Sequence, residues 1–260
     1  MSFPIIEGER FEPFVLNELF DFDRYVVRKF FEDCRTAKDV ADKVIKAVQY
    51  PFFAGSPDDR HRWNHFHGKW CRTIDDDYWQ VNSETALFLI GDCEDSSTLT
   101  VGGMRLLGVP PEGVYEAFGV VRDASTGQVL GGHGWVYARD PSFGTSSYVL
   151  VESTLDTPPE RYPEVGSTLE DLKRPFRLNN VVYESEWLFN DRYFIVVPPS
   201  SPERGAAWTA LALGMGRRRK RFVEDPRKYE ALAKAWGAPL KPLKYFRCSR
   251  LYRLRKALGL

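Results

Sequence analysis

A cysteine, a histidine and a carboxylate stand in three separate segments, and together they could perform nucleophilic acyl transfer. Cys93 follows Gly91 and Asp92 at a point where a loop is predicted to give way to a helix. The unpaired amides and the dipole of a helix start stabilise a thiolate, which is the nucleophile that this chemistry uses. The acidic neighbours Asp92, Glu94 and Asp95 oppose thiolate formation, and a lone cysteine is more often a buried structural residue.

His133 and Glu152 could supply the other two groups. His133 lies between two glycines in a predicted strand, so another backbone can approach its imidazole closely. Glu152 lies in the next predicted strand among apolar residues, where a buried carboxylate needs a partner. We expect Glu152 to fix the tautomer of the imidazole and to support its positive charge. Asp156 is the alternative acid, and we expect it to be more solvated because the strand should end there.

The elements that must position these residues change from helices to strands along the chain. Thr36 and Asp39 have capping-box spacing at the start of an amphipathic helix. Strand-like runs rich in β-branched and aromatic residues begin near Val114. This order favours an α+β fold, with helices on one face of an antiparallel sheet. The predicted elements are two helices within 18–50, a polar, aromatic loop over 51–81, a short helix over 83–89, a helix from Cys93 to about Leu107, strands from 114 onward, and helices over 203–216 and 224–236.

Three segments resemble the transglutaminase-like superfamily, in particular its microbial cysteine proteases. They are Gly-Asp-Cys-Glu-Asp at 91–95 with the residues leading into it from 77, Gly-His-Gly-Trp-Val at 132–136, and Val-Glu-Ser-Thr at 151–154. Gly134 replaces the usual Ala of the family, and Glu152 replaces the commoner Asp. The resemblance implies a papain-like core, with the nucleophile at the start of a helix packed on an antiparallel sheet. It also implies that Cys93, His133 and Glu152 form a catalytic triad.

The resemblance covers about residues 75–156 and leaves both ends of the chain unmatched. We therefore expect three regions. They are an N-terminal helical region with an aromatic, His-rich loop over 1–74, a transglutaminase-like catalytic core over 75–200, and a basic helical C-terminal extension over 201–260.

The expected activity is cysteine-dependent acyl transfer on amide bonds through a thioester. Hydrolysis of a protein or peptide substrate is the reading we favour, and an amine acceptor in place of water would make the protein a crosslinking transglutaminase. The shape of the cleft selects the acceptor, so the sequence leaves both open. Gln80 and Trp79 are candidates to stabilise the oxyanion, because each carries a side-chain N–H upstream of the cysteine.

The charge of the chain is zero overall and very uneven along its length. Residues 203–260 contain sixteen Lys and Arg but four Asp and Glu, which leaves this segment strongly positive. Tyr245, Phe246 and Tyr252 lie among these basic residues, as in some proteins that bind single-stranded nucleic acid. The alternative function is therefore a non-catalytic binding or structural protein that uses this segment to bind a polyanion or nucleic acid.

A second cluster of potential ligands precedes the cysteine. His61, His65, His67 and Cys71 have side chains suited to zinc, but their spacing matches no standard zinc finger and the aromatic residues among them indicate a packed loop. We expect neither a metal nor a cofactor. Four cysteines without a CxxC pair, no long apolar stretch and no signal peptide predict a soluble, cytoplasmic protein without membrane contact.

Overall fold

A seven-stranded antiparallel sheet forms the centre of the computed structural model, which describes residues 19–49, 60–66, 69–74, 80–89, 91–197 and 226–237. The helices are α1 (Tyr25–Phe30), α2 (Ala37–Ala47), α3 (Asn82–Phe88), α4 (Cys93–Leu106), α5 (Leu169–Leu172) and α6 (Pro226–Trp236). The strands are β1 (Arg60–Phe66), β2 (Lys69–Ile74), β3 (Val114–Asp123), β4 (Val129–Ala138), β5 (Tyr148–Val151), β6 (Glu164–Gly166), β7 (Phe176–Leu178), β8 (Val181–Phe189) and β9 (Phe194–Val196).

The strand order of the large sheet is β6-β5-β4-β3-β8-β7, and β9 also pairs with β8. The two longest pairings lie at the centre: β3 forms a hairpin with β4, and its other edge pairs with β8, which comes much later in the chain. In β4 the four residues from Trp135 to Ala138 are all buried, so this strand is covered on both of its faces. The predicted α+β fold with an antiparallel sheet is confirmed.

Helix α4 is the central helix of the fold. All of its residues from Cys93 to Met104 are buried, and it packs on β3 and β4 as well as on α2 and α3. Two glycines allow this crowding: a Cβ at Gly102 would lie 1.8 Å from Asn82 Nδ2, and one at Gly103 would lie 2.5 Å from Phe31 Cζ. A helix surrounded in this way cannot shift without moving several elements, so its first turn has a fixed position.

Helix α2 forms as its sequence predicts. The Thr36 hydroxyl accepts from the Asp39 amide at 3.1 Å, and the Asp39 carboxylate accepts from the Thr36 amide at 2.9 Å, which completes a capping box. The apolar face, which includes Val40, Val44 and Ile45, is buried. Helix α2 packs against α4, where Val40 lies next to Gly103.

The prediction of a loop over 51–81 is wrong for part of that segment. Strands β1 and β2 form a separate antiparallel hairpin, in which Asn64 pairs with Cys71 and His65 pairs with Trp70. Aromatic and β-branched residues favour such pairing, although the many polar residues of the segment favoured a loop. His61, His65 and Cys71 therefore lie on hairpin strands, and His67 lies outside the described residues.

The C-terminal part of the chain is described only over 226–237. Helix α6 lies within the predicted helix at 224–236, and it contacts β4 and β8. The predicted helix at 203–216 and the basic residues at 217–221 and 241–256 lie outside the described residues. Within the described ranges, none of the helices has the length and apolar character needed to cross a membrane.

Candidate active site

His133 and Glu152 form a buried pair where β4 and β5 lie side by side. The register of these strands aligns Val136 with Val151. Glu152 comes directly after β5, and its side chain lies on the same face of the sheet as the His133 ring. His133 Nε2 and Glu152 Oε2 are 2.8 Å apart, and both side chains are fully buried. The structure therefore brings these two predicted site residues together.

The chain turns directly after β5, which differs from the expected continuation of the strand through Glu152. This turn allows Thr154 to donate to Glu152 Oε1 twice, from its amide at 3.2 Å and from its hydroxyl at 2.6 Å. Serine and threonine favour such turns because their hydroxyls bond to nearby groups. Asp156 is only 5% exposed, so the expectation that it is solvated is wrong.

Glu152 accepts hydrogen bonds on both of its oxygens and donates none. Besides those from His133 and Thr154, its Oε2 accepts from the Tyr183 hydroxyl at 3.0 Å. Burial raises the pKa of this carboxyl, but the attraction of His133 and the hydrogen bonds from His133 and Thr154 outweigh it, and the pKa lies below its ordinary value. Glu152 is therefore held as a carboxylate.

An ionised Glu152 determines which nitrogen of His133 carries the proton in the neutral ring. A carboxylate can only accept, so Nε2 carries the hydrogen that is donated to it, and Nδ1 keeps its lone pair. Among the described residues Nδ1 has no hydrogen-bond partner although it is buried. The ring stacks on Trp135, with 6.2 Å between the centroids. His133 is thus oriented as a base whose accepting nitrogen is not used within the described fold.

Gly134 brings strand β4 against the first turn of α4. A Cβ at this position would lie 3.1 Å from both the Cα and the amide nitrogen of Glu94, and 3.2 Å from the carbonyl carbon of Cys93. Such distances are shorter than nearly all real Cβ contacts, so a residue without a side chain allows this approach. The backbones of His133 and Cys93 are consequently neighbours.

The thiol of Cys93 is hydrogen-bonded to the neighbouring acid, Glu94. Cys93 is 5% exposed, and its Sγ is 3.2 Å from Glu94 Oε2, at which distance the thiol donates to the carboxylate. No hydrogen bond joins Sγ to His133 Nδ1 in the described residues. A carboxylate at this place favours the protonated thiol, because it repels a thiolate.

Asp95, another acid of the motif, accepts hydrogen bonds from Gln80 and from the backbone at the helix start. Its Oδ1 accepts from the Gln80 amide at 2.6 Å, its Oδ2 accepts from the Gln80 side chain, and Oδ2 also accepts from the Asp92 amide at 3.3 Å. Gln80, a predicted oxyanion residue, is therefore fixed beside the helix start, with one of its two side-chain N–H groups bound to Asp95. The other predicted oxyanion residue, Trp79, lies outside the described residues.

Two further contacts connect α4 to the sheet. The hydroxyls of Ser97 and Ser153 are 3.1 Å apart, which links helix α4 to the turn that follows Glu152. Deeper in the fold, Thr98 donates to Glu116 Oε2 on β3 at 2.7 Å. Burial raises the pKa of Glu116 well above its ordinary value, despite the hydrogen bond from Thr98. The helix is thus bound to both β3 and the acid-bearing turn.

One group of side chains in the described residues has the composition of a metal site. Asp92, Cys93 and Glu94 each offer one ligand atom, and these atoms lie within 4.8 Å of one another. The set combines two hard carboxylates with a soft thiolate, which selects no particular ion. Side-chain positions for His61, His65, His67 and Cys71 lie outside what the structure describes, so the expectation that they hold no metal stays a prediction.

Sequence reasoning did not identify the residues that surround Glu152. Tyr183 lies in a strand that was correctly predicted, but an alternating pattern shows which face a residue occupies and not which acid it contacts. Trp236, which donates to the Tyr183 hydroxyl at 2.8 Å, comes from the C-terminal extension. Thr154 was noted only as part of a motif.

No model of a known protein family matches this chain, and no curated protein sequence does so either. Solved structures of Legionella pneumophila LapG align with it. One has 17% sequence identity and a TM-score of 0.37, and the alignment covers 76% of this chain and 93% of LapG. A calcium-bound LapG structure has 16% identity and a TM-score of 0.35, and its alignment covers 75% of this chain and 97% of LapG. Similarity of this size transfers neither a substrate nor a residue role to the present chain.

Proposed function

We propose that this protein is a thiol-dependent amide hydrolase of the transglutaminase-like superfamily, with Cys93 as nucleophile, His133 as base and Glu152 as orienting acid. The observation that carries the proposal is the fully buried His133–Glu152 pair. The Nδ1 atom of His133 has no hydrogen-bond partner among the described residues, and Gly134, the next residue on β4, lies against the Cys93 backbone. Most buried side-chain nitrogens in proteins have a hydrogen-bond partner, so a buried Nδ1 without one favours a functional role.

The proposed reaction begins when the Cys93 thiol exchanges its contact with Glu94 for His133 Nδ1. The thiol proton moves to Nδ1, and Sγ attacks the carbonyl carbon of the substrate amide. As the C–N bond breaks, the imidazolium gives its proton to the leaving amine and a thioester remains on Sγ. Water that loses a proton to Nδ1 then attacks the thioester, which releases the acid and restores the thiol.

Each residue contributes to these reaction steps through a contact described above. Glu152 remains an anion throughout, so it stabilises the imidazolium without taking its proton. The amides at the start of α4 can bind the developing oxyanion together with a side-chain donor such as Gln80. The proposed substrate is a protein or peptide amide, since the superfamily acts on such bonds.

The first test measures thiol reactivity and requires no substrate. Carbamidomethylation of Cys93 by iodoacetamide is followed by mass spectrometry from about pH 4 to about pH 9. An imidazole-paired thiol reacts well below the pKa of a free cysteine, in the range of about 3.5–7.5. Cys34 is the internal reference, because burial raises its thiol pKa to about 11. His133→Ala should move the reaction of Cys93 to alkaline pH, and an unchanged profile would show that the two residues do not interact.

The second test measures chemistry on amides. Purified protein is incubated with a denatured protein mixture, and new N-termini are sought by mass spectrometry, with Cys93→Ala as the control. Cleavage that persists in Cys93→Ala contradicts the proposal. A parallel incubation with biotinylated pentylamine distinguishes water from an amine as the acyl acceptor. Covalent incorporation of the amine into protein indicates a transglutaminase. Binding to heparin without any Cys93-dependent chemistry would favour the non-catalytic alternative.

A further inference from the structure

A helix from the C-terminal extension reaches the candidate active site through one tyrosine. The indole Nε1 of Trp236, at the end of α6, lies 2.8 Å from the Tyr183 hydroxyl, and that hydroxyl lies 3.0 Å from Glu152 Oε2. Glu152 Oε2 in turn lies 2.8 Å from His133 Nε2. Four side chains from separate segments thus form one continuous chain of hydrogen bonds.

The direction of every bond in this chain is fixed by chemistry. An indole N–H can only donate, so the Tyr183 hydroxyl accepts from Trp236 and its own proton points to Glu152. Burial and the nearby charge of Glu152 raise the pKa of Tyr183 well above its ordinary value, so the hydroxyl keeps this proton. Hydrogen bonds aligned in one direction polarise and strengthen one another. The indole therefore increases the donor strength of the tyrosine toward the carboxylate.

We propose that Tyr183 and Trp236 are positioning residues, which hold Glu152 in the ionised form and orientation that keep the His133 proton on Nε2. The proposal rests on the function proposed above. It assigns α6 a role in the active site, since Trp236 acts on Glu152 through the Tyr183 hydroxyl.

The position of α6 does not depend on the indole N–H alone. Leu232 and Ala235 are buried against the core, the Asn179 side chain donates to the Ala235 carbonyl at 2.6 Å, and the Asn180 side chain donates to the Ala231 carbonyl at 3.1 Å. Trp236→Phe should therefore leave the helix docked while it removes the donor. Tyr183→Phe should retain the ring contact with Trp135, whose centroid lies 5.1 Å away.

The expected effect is a change in the pH dependence of Cys93. The ionisable groups near the hydrogen-bonded chain and the thiol include His133 and Tyr137 on β4 and Tyr183 on β8, together with Asp92, Cys93 and Glu94 at the start of α4. Removing a donor from a carboxylate raises the pKa of that carboxylate. Glu152 then loses its charge at a higher pH, and the imidazolium is no longer stabilised by it. The acid limb of the profile, which is the pH range over which Cys93 alkylation slows as the pH falls, therefore moves to higher pH.

The experiment compares the iodoacetamide profiles of the full-length wild type, Tyr183→Phe, Trp236→Phe and the double variant. Tyr183→Phe should move the acid limb upward by about one pH unit, from the usual strength of a hydrogen bond to a charged group. Trp236→Phe should produce a smaller shift in the same direction. If the indole acts through the hydroxyl, the double variant should match Tyr183→Phe alone.

The matched control is Tyr137→Phe, which removes another buried hydroxyl whose contact, at 3.4 Å, is to Ser185 and not to Glu152. Its acid limb should remain at the wild-type position. Thermal unfolding of each variant is measured first, and all profiles are recorded at a temperature at which every variant is folded. The inference is overturned if either single variant keeps the wild-type limb, or if the two shifts add in the double variant. A wild-type Cys93 that reacts only at alkaline pH would overturn the proposed function first and this inference with it.

Discussion

The two halves of the candidate site are built in opposite ways. Around Glu152, each described hydrogen bond brings a donor to a carboxylate, so the negative charge is supported from both oxygens. Around Cys93, the thiol faces the acidic side chain of Glu94, whose charge would oppose the thiolate that the proposed mechanism requires. In that mechanism the half around His133, here called the base half, needs no change, whereas in the half around Cys93, here called the nucleophile half, the thiol must first exchange its contact with Glu94 for one with His133 Nδ1.

This difference identifies where regulation of reactivity can act. A preorganised base half costs no rearrangement during the reaction, which is how electrostatic stabilisation becomes effective in enzymes. In the proposed mechanism, Glu94 and His133 compete for the Cys93 thiol, and this competition would determine the fraction of thiolate. Four changes can break or sharpen this contrast.

The largest effect is expected in the base half. Glu152→Gln keeps the shape of the side chain but removes the charge and allows the wrong tautomer of His133, so amide cleavage should fall by about 10³–10⁴-fold. Asp156→Asn is the matched control and should change the rate by less than about threefold, because the described contacts of His133 include Glu152 and not Asp156. Rates are compared for variants of equal thermal stability. If the two variants rank in the opposite order, Asp156 is the orienting acid.

The contact between the two halves comes next. Gly134→Val places atoms within about 3.1 Å of the Glu94 backbone and must push β4 away from the start of α4. A displacement near 1 Å at a reacting pair can reduce the rate by about 10²-fold. Gly132→Ala is the control, because the nearest atoms to its new Cβ lie 3.9 Å away. Equal losses in both variants would show that the close approach at Gly134 is not specifically required.

In the nucleophile half the expected change is a gain. Glu94→Gln removes the charge that repels the thiolate, so the pKa of Cys93 should fall, and alkylation at pH values below that pKa should become several-fold faster, on the order of threefold to tenfold. Glu170→Gln removes the same charge on the short helix α5 and should leave the rate unchanged. A slower reaction of Glu94→Gln would indicate that Glu94 supports the thiolate and that the contrast between the halves is wrong.

The smallest effect concerns stability beneath the nucleophile helix. The pKa of Glu116 is raised by burial above its unfolded value, so its contribution to stability is fully present below about pH 4.5 and is lost as the pH rises toward the folded pKa. Glu116→Gln does not titrate, and its free energy of unfolding relative to the wild type should therefore rise with pH. The gain is about 1.4 kcal/mol for each unit between the two pKa values. Urea unfolding at several pH values measures it, and a constant difference would contradict a buried, neutral Glu116.

The elements of the site follow from local sequence signals to a large extent. Cys93 was expected at a helix start and lies there, and His133 was expected beside Glu152 and is hydrogen-bonded to it. These residues are readable because a helix start and two neighbouring strands place them with little help from distant parts of the chain. The catalytic roles of the three residues stay predictions until reactivity is measured.

Other features depend on side-chain packing that a sequence pattern does not contain. The contact of Cys93 with Glu94 is a choice of rotamers between adjacent residues. The turn after Val151 had a signal in the Ser153-Thr154 pair, but the apolar run before it favoured a longer strand. Trp236 and Tyr183 are 53 positions apart, so their contact depends on the tertiary fold and not on any local spacing.

The contact of Trp236 with Tyr183 also has a consequence for the order in which the protein is made. During synthesis the segments that carry Cys93, His133, Glu152 and Tyr183 leave the ribosome before α6 does, and proteins begin to fold from their N-terminal parts. A nascent chain can therefore form the sheet and the nucleophile helix while the indole donor is still missing. Under the proposals above, the Cys93 thiol would reach its full reactivity only once residue 236 has left the ribosome. A nascent chain stalled before that point would have a folded core in which Cys93 reacts more slowly.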